Sequence, residues 1–357
     1  MKNNLKTQGF ILLDVDVVAL NNAGKNNRSN FDNAVATKQI FKNGKSYVYV
    51  SGQAWRYWWR DALQKNLGWE LSPVVRDSKI AFTNADPIKY ADDDLFGYMR
   101  AASEVIKDEK GKDKKQNITV TRVSPLKNSA IVSVAAVSPS ENWSSMARQD
   151  GDSVPYSKQE YSAIMKAMFS LDLNMVGTFS DYEKTGFKNL SESLRKEALA
   201  QGATEVEDQY VKDSKGMPHK LVRLDKTIRE KRICDTLLAL KTISGGAMQT
   251  NNMGDVTPKF IILATTNTGN HPFSTVAISS GDRDDVAFLN VQAIREILRD
   301  YKDTFVGKVF VGRRVGFMDD YSQELDELKK SFGDIIVLST VNEAIDKYCE
   351  QLKGQIV

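Results

Sequence analysis

Two arginines and a glutamine follow one another at helical spacing near residue 55, and together their side chains could bind an anion. Gln53, Arg56 and Arg60 come directly after Ser51-Gly52, where we predict that a helix begins. Residues four apart lie on the same face of a helix, so Arg56 and Arg60 project in the same direction. Free backbone N–H groups at the start of a helix also attract negative charge. The pattern indicates a phosphate site, although such arginines are also commonly solvated or paired with carboxylates.

The helix that carries these side chains is predicted from its flanking residues and its apolar spacing. Tyr47 to Val50 alternates aromatic and β-branched residues, as a half-buried strand does, and the Ser51 hydroxyl can then cap free amides of a helix. Apolar residues spaced i, i+3, i+4, i+7 and i+8 form one buried face: Trp55, Trp58, Trp59, Ala62 and Leu63. Three tryptophans therefore hold the helix against a core.

A polar loop rich in asparagine and glycine, residues 21–45, joins the first predicted strand to this helix. The strand covers residues 10–19 and is almost continuously apolar, so we expect it at the centre of a sheet. A loop of this composition is usually a mobile connection. Here its basic residues could extend a track of phosphate contacts beside the arginines, and the candidates are Lys25, Arg28, Lys38 and Lys45.

Two further segments carry residues that suit contact with a nucleic-acid strand. Residues 138–156 have no regular spacing and contain Trp143, Met146 and Arg148. Taken alone, a single tryptophan and a methionine in such a segment most often form a small apolar cluster. The second segment has glycines and amides that let a backbone approach phosphate, although paired glycines also commonly end a helix. Its candidates are Gly245, Gly246, Met248, Gln249, Thr250 and Asn251.

The composition excludes several classes of protein. Of 357 residues, 41% are hydrophobic and the formal net charge is only +3, so a nucleic-acid partner would be bound by local basic clusters. No apolar run reaches the ~18 residues of a membrane span and no signal peptide is recognisable, so we expect a cytoplasmic protein with no membrane partner.

Enzyme motifs and metal-binding spacings are also missing from the sequence. We therefore predict no catalytic residue, no metal and no cofactor. The few thiols and imidazoles are far apart along the chain: Cys234, Cys349, His219 and His271. We expect both cysteines to be buried thiols.

The order of several segments resembles the backbone subunit of the type I CRISPR Cascade surveillance complex, in the DevR-type branch of the RAMP superfamily. The segments are residues 9–16, 50–63, 94–99, 122–126, 161–177 and 244–250 with the following Pro258-Lys259. The resemblance implies an α+β fold: a modified RRM-like (ferredoxin-like) palm, a helical fingers insertion and an extended thumb loop. The implied boundaries are 1–60 and 117–357 for the palm, 61–116 for the fingers and 138–156 for the thumb. It also implies a strand from Tyr161 to Asn174, where the spacing fits helix and strand equally.

The resemblance further implies that the protein binds CRISPR RNA and polymerises along the guide, in a complex that recognises foreign DNA for antiviral defence. The implied subtype is I-B. The implied partners are CRISPR RNA, the target DNA strand through guide pairing, further copies of this chain, a 5′-handle subunit, large and small subunits and a processing endonuclease. In the thumb that the resemblance implies, Trp143 and Met146 would form an apolar wedge that separates bases, and Arg148 would bind a phosphate. We expect the thumb and the loop from Gly245 to Asp255 to close over one RNA strand from opposite sides.

Two alternatives remain open at the level of the sequence. Related backbone subunits of type III complexes cleave target RNA with an aspartate in the loop after the first strand, and Asp32 lies in such a loop. A carboxylate beside a phosphate can hold a divalent cation for this reaction. The other alternative is a regulatory or structural RNA-binding protein.

Overall fold

The helices and strands combine into a mixed α+β fold. The computed structural model describes residues 4–26, 33–77, 80–107, 113–146, 150–182, 184, 186–281 and 285–356. Its first strands are β1 (Lys6–Val18), β2 (Asn22–Lys25), β3 (Ala34–Thr37), β4 (Gln39–Lys42), β5 (Lys45–Val50), β6 (Val74–Asp77), β7 (Ile80–Thr83), β8 (Tyr98–Lys107), β9 (Asp113–Arg122), β10 (Leu126–Asn128) and β11 (Ile131–Ser133). They are followed by β12 (Ser140–Met146), β13 (Val154–Asp172), β14 (Thr178–Phe179), β15 (Thr204–Lys212), β16 (Pro218–Arg223), β17 (Phe260–Thr266), β18 (Ala277–Ser279), β19 (Ala287–Leu289), β20 (Val309–Arg313) and β21 (Ile336–Ser339).

The α-helices are α1 (Gly52–Leu67), α2 (Ala91–Phe96), α3 (Glu192–Ala200), α4 (Lys226–Leu238), α5 (Gln249–Asn252), α6 (Val291–Asp300), α7 (Ser322–Ser331) and α8 (Val341–Lys353). Short 3₁₀ turns cover Ala239–Lys241, Pro272–Thr275 and Asp319–Tyr321. No helix in these described parts is long and apolar enough to cross a membrane.

A twelve-stranded sheet has the main order β21-β20-β17-β1-β13-β11-β5-β4. β1 lies between β17 and β13 and is antiparallel to both. On its other edge β13 is antiparallel to β10 and β11. The prediction of a central first strand is confirmed, because β1 has a strand on either side and is buried along most of its length.

Strand β13 is the longest element of the sheet, with 19 residues. Its first part pairs with β12 and β3, whereas its later part pairs with β1, β10 and β11. The strand expected from Tyr161 onward is therefore present, and it already begins at Val154. Because all these strands pair with β13, residues 140–146 and the central strands β1, β10 and β11 belong to one hydrogen-bond ladder.

Stacked tryptophans hold α1 against the sheet, as predicted. The rings of Trp55 and Trp59 stack at 5.1 Å, and Trp59 meets Phe169 of β13 edge-on at 5.2 Å. Gly9 of β1 leaves room for the Phe169 ring, which would overlap any β-carbon at that position. The indole Nε1 of Trp59 donates to the carbonyl of Thr236 at 2.7 Å, so this buried polar atom is satisfied.

Helices cover both faces of the sheet. One core contains apolar side chains of α1, α4 and α8, and a second core on the other face contains those of α6 and α7. Ile11 and Leu13 of β1 belong to the first core, whereas Phe10 and Leu12 belong to the second. This division follows from the alternation of side chains along a strand.

The expected helical character of residues 61–116 is wrong. Apart from the end of α1 and the six-residue α2, the regular elements described in this insertion are two β-hairpins, β6–β7 and β8–β9. The pairing of β8 with β9 runs without a break from Tyr98↔Arg122 to Lys107↔Asp113. As far as residue 116 the sequence shows no regular apolar alternation, so periodicity does not predict β6, β7 and β8.

The expected irregular thumb loop is also corrected by the structure. Within residues 138–156, β12 pairs antiparallel with the start of β13, from Ser140↔Glu160 to Met146↔Val154. The segment is thus a hairpin rather than an open loop. Its sequence shows no apolar alternation because β12 is exposed along nearly all of its length and buries neither face in a core.

A buried carboxylate joins α2 to β9, to α4 and to the turn after β13. Asp94 of α2 is fully buried and forms ion pairs with Arg122 of β9 and Arg232 of α4. It also accepts a hydrogen bond from the backbone N–H of Gly177 at 2.8 Å. A buried charge that loses its partners is costly, so these residues fix segments that are far apart in sequence.

We predict that Asp94→Ala lowers the free energy of unfolding by about 3–5 kcal/mol, because it leaves two buried guanidinium groups without their carboxylate. Chemical denaturation measures this change. The control is Glu192→Ala, which removes an exposed ion pair with Lys196 and should cost less than about 1 kcal/mol. Equal effects of the two substitutions would contradict the role assigned to Asp94.

Candidate nucleic-acid interface

The predicted helix start is confirmed, and it places Arg56 in a site formed by atoms of this chain. Ser51 caps α1 by accepting a hydrogen bond from the backbone N–H of Ala54 at 3.3 Å. The Arg56 guanidinium donates four hydrogen bonds, and their acceptors are the carbonyls of Leu126 and Phe96 and the side chains of Asn128 and Ser124. Four of its five N–H donors are thereby used.

Arg56 therefore has a structural role that its spacing does not indicate. Burial, and secondarily the nearby charge of Arg60, lower the pKa of Arg56 to about 10. Its guanidinium lies 4.9 Å from the centre of the Phe96 ring. A phosphate bound here would have to replace hydrogen bonds that connect α1 to α2 and β10, so Arg56 is the weaker of the two arginine candidates.

The other candidates on α1 are more accessible. Gln53 is exposed, and Arg60 is half-buried with its guanidinium 5.4 Å from the centre of the Phe96 ring. Tyr57 was not among the residues predicted from the sequence; it is 64% exposed and lies one helical turn from both Gln53 and Arg60. The sequence does contain a signal for Tyr57, because it is an aromatic residue at helical spacing from Arg60 that lies outside the apolar face of the helix.

The candidate residues form two groups rather than one. Arg56 contacts Leu126, which pairs with Leu171 near the end of β13, whereas the thumb hairpin pairs with β13 up to Glu160. At about 3.3 Å per residue, these points are roughly 35 Å apart along the strand. The α1 candidates and the thumb candidates therefore face different parts of any bound strand.

Trp143 and Met146 lie on opposite faces of the thumb hairpin. On one face Asn142 donates a hydrogen bond to Glu160, and on the other Glu141 accepts one from Ser157. Because side chains alternate, Met146 shares the face of Asn142 and Trp143 shares the face of Glu141.

The expected action of Trp143 and Met146 as a single wedge is therefore wrong. The alternative of a small apolar cluster is wrong as well, since Trp143 is 61% exposed and Met146 is 50% exposed. Each residue is instead an accessible apolar side chain on its own face of the hairpin. Arg148, the third candidate of the thumb, lies outside the described residues.

The glycine-rich segment, residues 245–255, packs closely against the rest of the fold and is not a flexible loop. A β-carbon on Gly245 would overlap the Trp58 ring, and one on Gly246, whose φ is +111°, would lie 2.6 Å from Leu20. Packing thus requires both glycines. The side-chain amide of Gln249 donates to the backbone carbonyls of Gly245 and Gly254, so hydrogen bonds within the segment also stabilise its conformation.

The remaining residues of this segment present polar and apolar groups to solvent. Met248 is half-buried and has a left-handed backbone with φ of +57°, after which α5 forms a single helical turn. Thr250 and Asn251 on this turn are exposed. Met253, which was not among the candidates, is 85% exposed and is the residue at which the turn ends. The segment therefore offers side chains, rather than bare backbone, to a ligand.

The basic candidates that precede α1 lie in different places in the structure. Lys25 ends β2, and Lys38 follows β3, which pairs with β13 beside the thumb hairpin. The contact is reinforced by the backbone N–H of Thr37, which donates to the side chain of Gln159 at 3.0 Å.

The other candidates of this loop do not join the same group. Lys45 donates to the carbonyl of Gly281 at 2.6 Å and lies 3.8 Å from the carboxylate of Asp285. These contacts hold it near the chain segment that precedes β19. Arg28 and Asp32 lie outside the described residues.

One carboxylate, which no sequence pattern predicted, joins the two segments that were expected to close over RNA. Glu160 accepts hydrogen bonds from the side-chain amides of Asn142 on β12, at 2.7 Å, and Asn252 on α5, at 2.8 Å. Its carboxylate also pairs with Lys158 at 2.7 Å. Burial raises the pKa of Glu160, but these three hydrogen bonds outweigh burial and hold the pKa below its ordinary value. We name the two paired strands of the hairpin, residues 140–146 and 154–160, together with the segment 245–255, the clasp.

The described residues show no group suited to a catalytic metal. Within this part of the chain, no three histidine, cysteine, aspartate or glutamate side chains come together as metal ligands. Cys234 and Cys349 are buried free thiols, as expected.

The class of this protein follows from its sequence, which matches the model of a CRISPR-associated family over most of the chain. The chain belongs to the family of CRISPR-associated negative auto-regulators DevR/Csa2, whose family model matches residues 13–285. Comparison with curated proteins gives no significant match.

Two solved structures share the fold along nearly the whole chain. A chain described as a CRISPR RNA-guided surveillance complex is similar with a TM-score of 0.52 and 12% sequence identity, covering 97% of this chain and 99% of that chain. A second, described as a CRISPR RNA-guided surveillance complex in a pre-nicking state, has a TM-score of 0.51 and 10% identity with the same coverage.

We predict that the two arginines of α1 differ in their effect on stability. Arg56→Ala should lower the free energy of unfolding by about 2–4 kcal/mol, because it leaves the carbonyls of Phe96 and Leu126 without this donor. Arg60→Ala should change it by less than about 1 kcal/mol, since it removes mainly a contact with the Phe96 ring. Denaturation curves of the two variants measure the difference. An Arg56→Ala variant as stable as the parent protein would return Arg56 to the phosphate-binding candidates.

Proposed function

We propose that the protein is a backbone subunit of a type I CRISPR surveillance complex, of subtype I-B, and that its copies polymerise along the CRISPR RNA. The observation that carries the proposal is the clasp. In the clasp, Glu160 near the start of β13 joins the thumb hairpin to the α5 segment on the surface of the protein. Membership of a CRISPR-associated family supports the proposal. A fold shared with chains of RNA-guided surveillance complexes supports it as well.

We further propose that the centre of the sheet is an RRM-like palm. Its neighbouring strands have the order β17, β1, β13 and then β10 with β11, and each is antiparallel to its neighbours. Along the chain, the strands and helices of this unit come in the order β1, α1, β10 with β11, β13, α4 and β17. Side chains of α1 and α4 belong to the same core. A ferredoxin-like unit has this alternation of strand, helix, two strands, helix and strand. The proposed palm comprises residues 1–60 and 117–357, and the hairpins of residues 61–116 are the proposed fingers.

The clasp suits a single RNA strand held by its backbone. Lys25 and Lys38 lie beside the hairpin and supply positive charge, while Met146 and Met253 are exposed apolar side chains that can pack against unstacked bases. A second surface lies on α1 and contains Gln53, Tyr57 and Arg60. Contacts to phosphates and base faces leave the pairing edges free, so sequence recognition can be delegated to the guide.

The implied partners follow from this role. They are the CRISPR RNA, the target DNA strand that pairs with it, neighbouring copies of this chain, a 5′-handle subunit, large and small subunits and a processing endonuclease. The role we propose for the chain is binding without catalysis. The nuclease alternative rests on Asp32 alone, and the regulatory alternative rests on the description of the family.

The proposal predicts that single-stranded RNA is bound without sequence preference and is protected at regular intervals. Nuclease footprinting of the assembled protein on a long single-stranded RNA measures this periodicity. Complementary RNA added with Mg²⁺ should stay intact. Regularly spaced cuts that Asp32→Ala abolishes would favour the type III-like alternative, and an unprotected RNA at low salt would contradict both assignments.

The proposal also predicts different roles for the two apolar residues of the thumb. Met146→Ala should weaken RNA binding about tenfold and remove periodic unstacking, because Met146 lies on the clasp side of the hairpin. Trp143→Ala should leave both nearly unchanged. A fluorescent base analogue placed at successive positions of the RNA reports unstacking. If Trp143→Ala alone removed the signal, the RNA would follow the opposite face of the hairpin.

A further inference from the structure

The hairpin and the α5 segment of the clasp share one acceptor, the carboxylate of Glu160. Its two oxygens are divided between them, since Oε2 accepts from Asn142 and Oε1 accepts from Asn252. Glu160 is buried, with 8% of its surface exposed. Each asparagine uses its NH₂ group as the donor here, so the carboxylate of Glu160 bridges the two segments.

The same contact extends to the end of β1. The Asn252 amide also donates to the carbonyl of Val17 at 2.9 Å. Val17 has φ of +46°, which is unusual for a β-branched residue, and its backbone N–H is held by the hydroxyl of Ser162 at 3.0 Å. Strained backbone persists where surrounding contacts fix it. The clasp is therefore fixed at β12, β13, α5 and the end of β1 together.

A carboxylate is a costly choice in a site for a polyanion. Lys158 forms an ion pair with Glu160, so its positive charge neutralises this carboxylate and contributes less to the attraction of a phosphate. A glutamine would avoid the negative charge, but its single oxygen can accept from both amides only by sharing, and its NH₂ group can accept from neither. The Glu160–Lys158 pair thus weakens the electrostatic attraction of this site for RNA phosphates, but it fixes the position of the hairpin relative to the α5 segment.

We propose that Glu160 is a positioning residue that fixes the thumb hairpin against the α5 segment before RNA binds, so that the strand enters a preformed clasp. The inference rests on the proposed RNA-binding function. Preorganisation lowers the ordering cost of binding, and its loss appears mainly as faster dissociation. A carboxylate is not a phosphate ligand, so the role proposed for Glu160 does not involve counterion release.

The test uses a variant, a matched control and a reversal. Glu160→Gln removes the shared acceptor with little change in volume. Glu141→Gln is the control, because Glu141 is a carboxylate of the same hairpin that accepts from Ser157 and Asn26 on the opposite face. The reversal combines Glu160→Gln with Asn142→Asp, which lets the amide of residue 160 donate to the new carboxylate while its oxygen still accepts from Asn252.

The first arm measures RNA dissociation from the assembled protein as a function of salt. Glu160→Gln should accelerate dissociation about tenfold with an unchanged salt slope, Glu141→Gln should behave as the parent protein, and the reversal should return to within about threefold of it. The inference is overturned if Glu160→Gln binds equally well. It is also overturned if this variant binds more tightly with a slope steeper by about 0.7, which would mean that Glu160 only masks Lys158.

The second arm measures hydrogen exchange of the α5 and β12 amides without RNA. Exchange should accelerate about tenfold in Glu160→Gln, remain at the parent rate in Glu141→Gln and slow again in the reversal. Unchanged exchange in Glu160→Gln overturns the positioning role even if RNA binds. If the parent protein ignores RNA, the proposed function fails, and this arm still decides whether Glu160 fixes the clasp.

Discussion

The hydrogen-bond ladder of β13 is the constraint on which the rest of the structure depends. The strand carries β12 and β3 at its start and β1, β10 and β11 farther along, so the thumb hairpin and the central strands are parts of one sheet. Its register also sets the faces of the hairpin, because it brings the side chain of Glu160 to Asn142 and that of Ser157 to Glu141, each diagonally across the two strands. A shift by one residue would exchange these faces and separate the two segments.

Much of the positive charge that stands out in the sequence is used within the chain. Arg122 and Arg232 neutralise Asp94, and Arg56 connects α1 to the insertion through neutral acceptors. Such buried networks fix one arrangement of segments because each unsatisfied donor is costly. The formal net charge of only +3 agrees with binding by local groups such as Lys38 and Arg60.

Elements defined by their own periodicity could be predicted, and those defined by a distant partner could not. The tryptophan spacing and the Ser51 cap were sufficient to place α1. The β6–β7 hairpin, strand β8 and the thumb hairpin were missed because their sequences lack regular apolar alternation, and only the cross-strand partner defines them. Asn142, Asn252 and Glu160 belong to no motif, and they meet only because β13 and α5 bring them together. Arg56 has the expected position, but its acceptors lie in residues 96–128 and its local sequence does not reveal them.

The central claim is that one RNA strand passes through the clasp, and photo-crosslinking tests it most directly. RNA that contains 4-thiouridine at every position in turn is bound to the protein, irradiated and analysed by mass spectrometry for the crosslinked residues. We predict crosslinks to peptides that contain Met146, Met253 and Lys38, repeated at a regular interval along the RNA. Crosslinks confined to the β15–β16 hairpin or to α6 and α7, with none in the clasp, would contradict the claim.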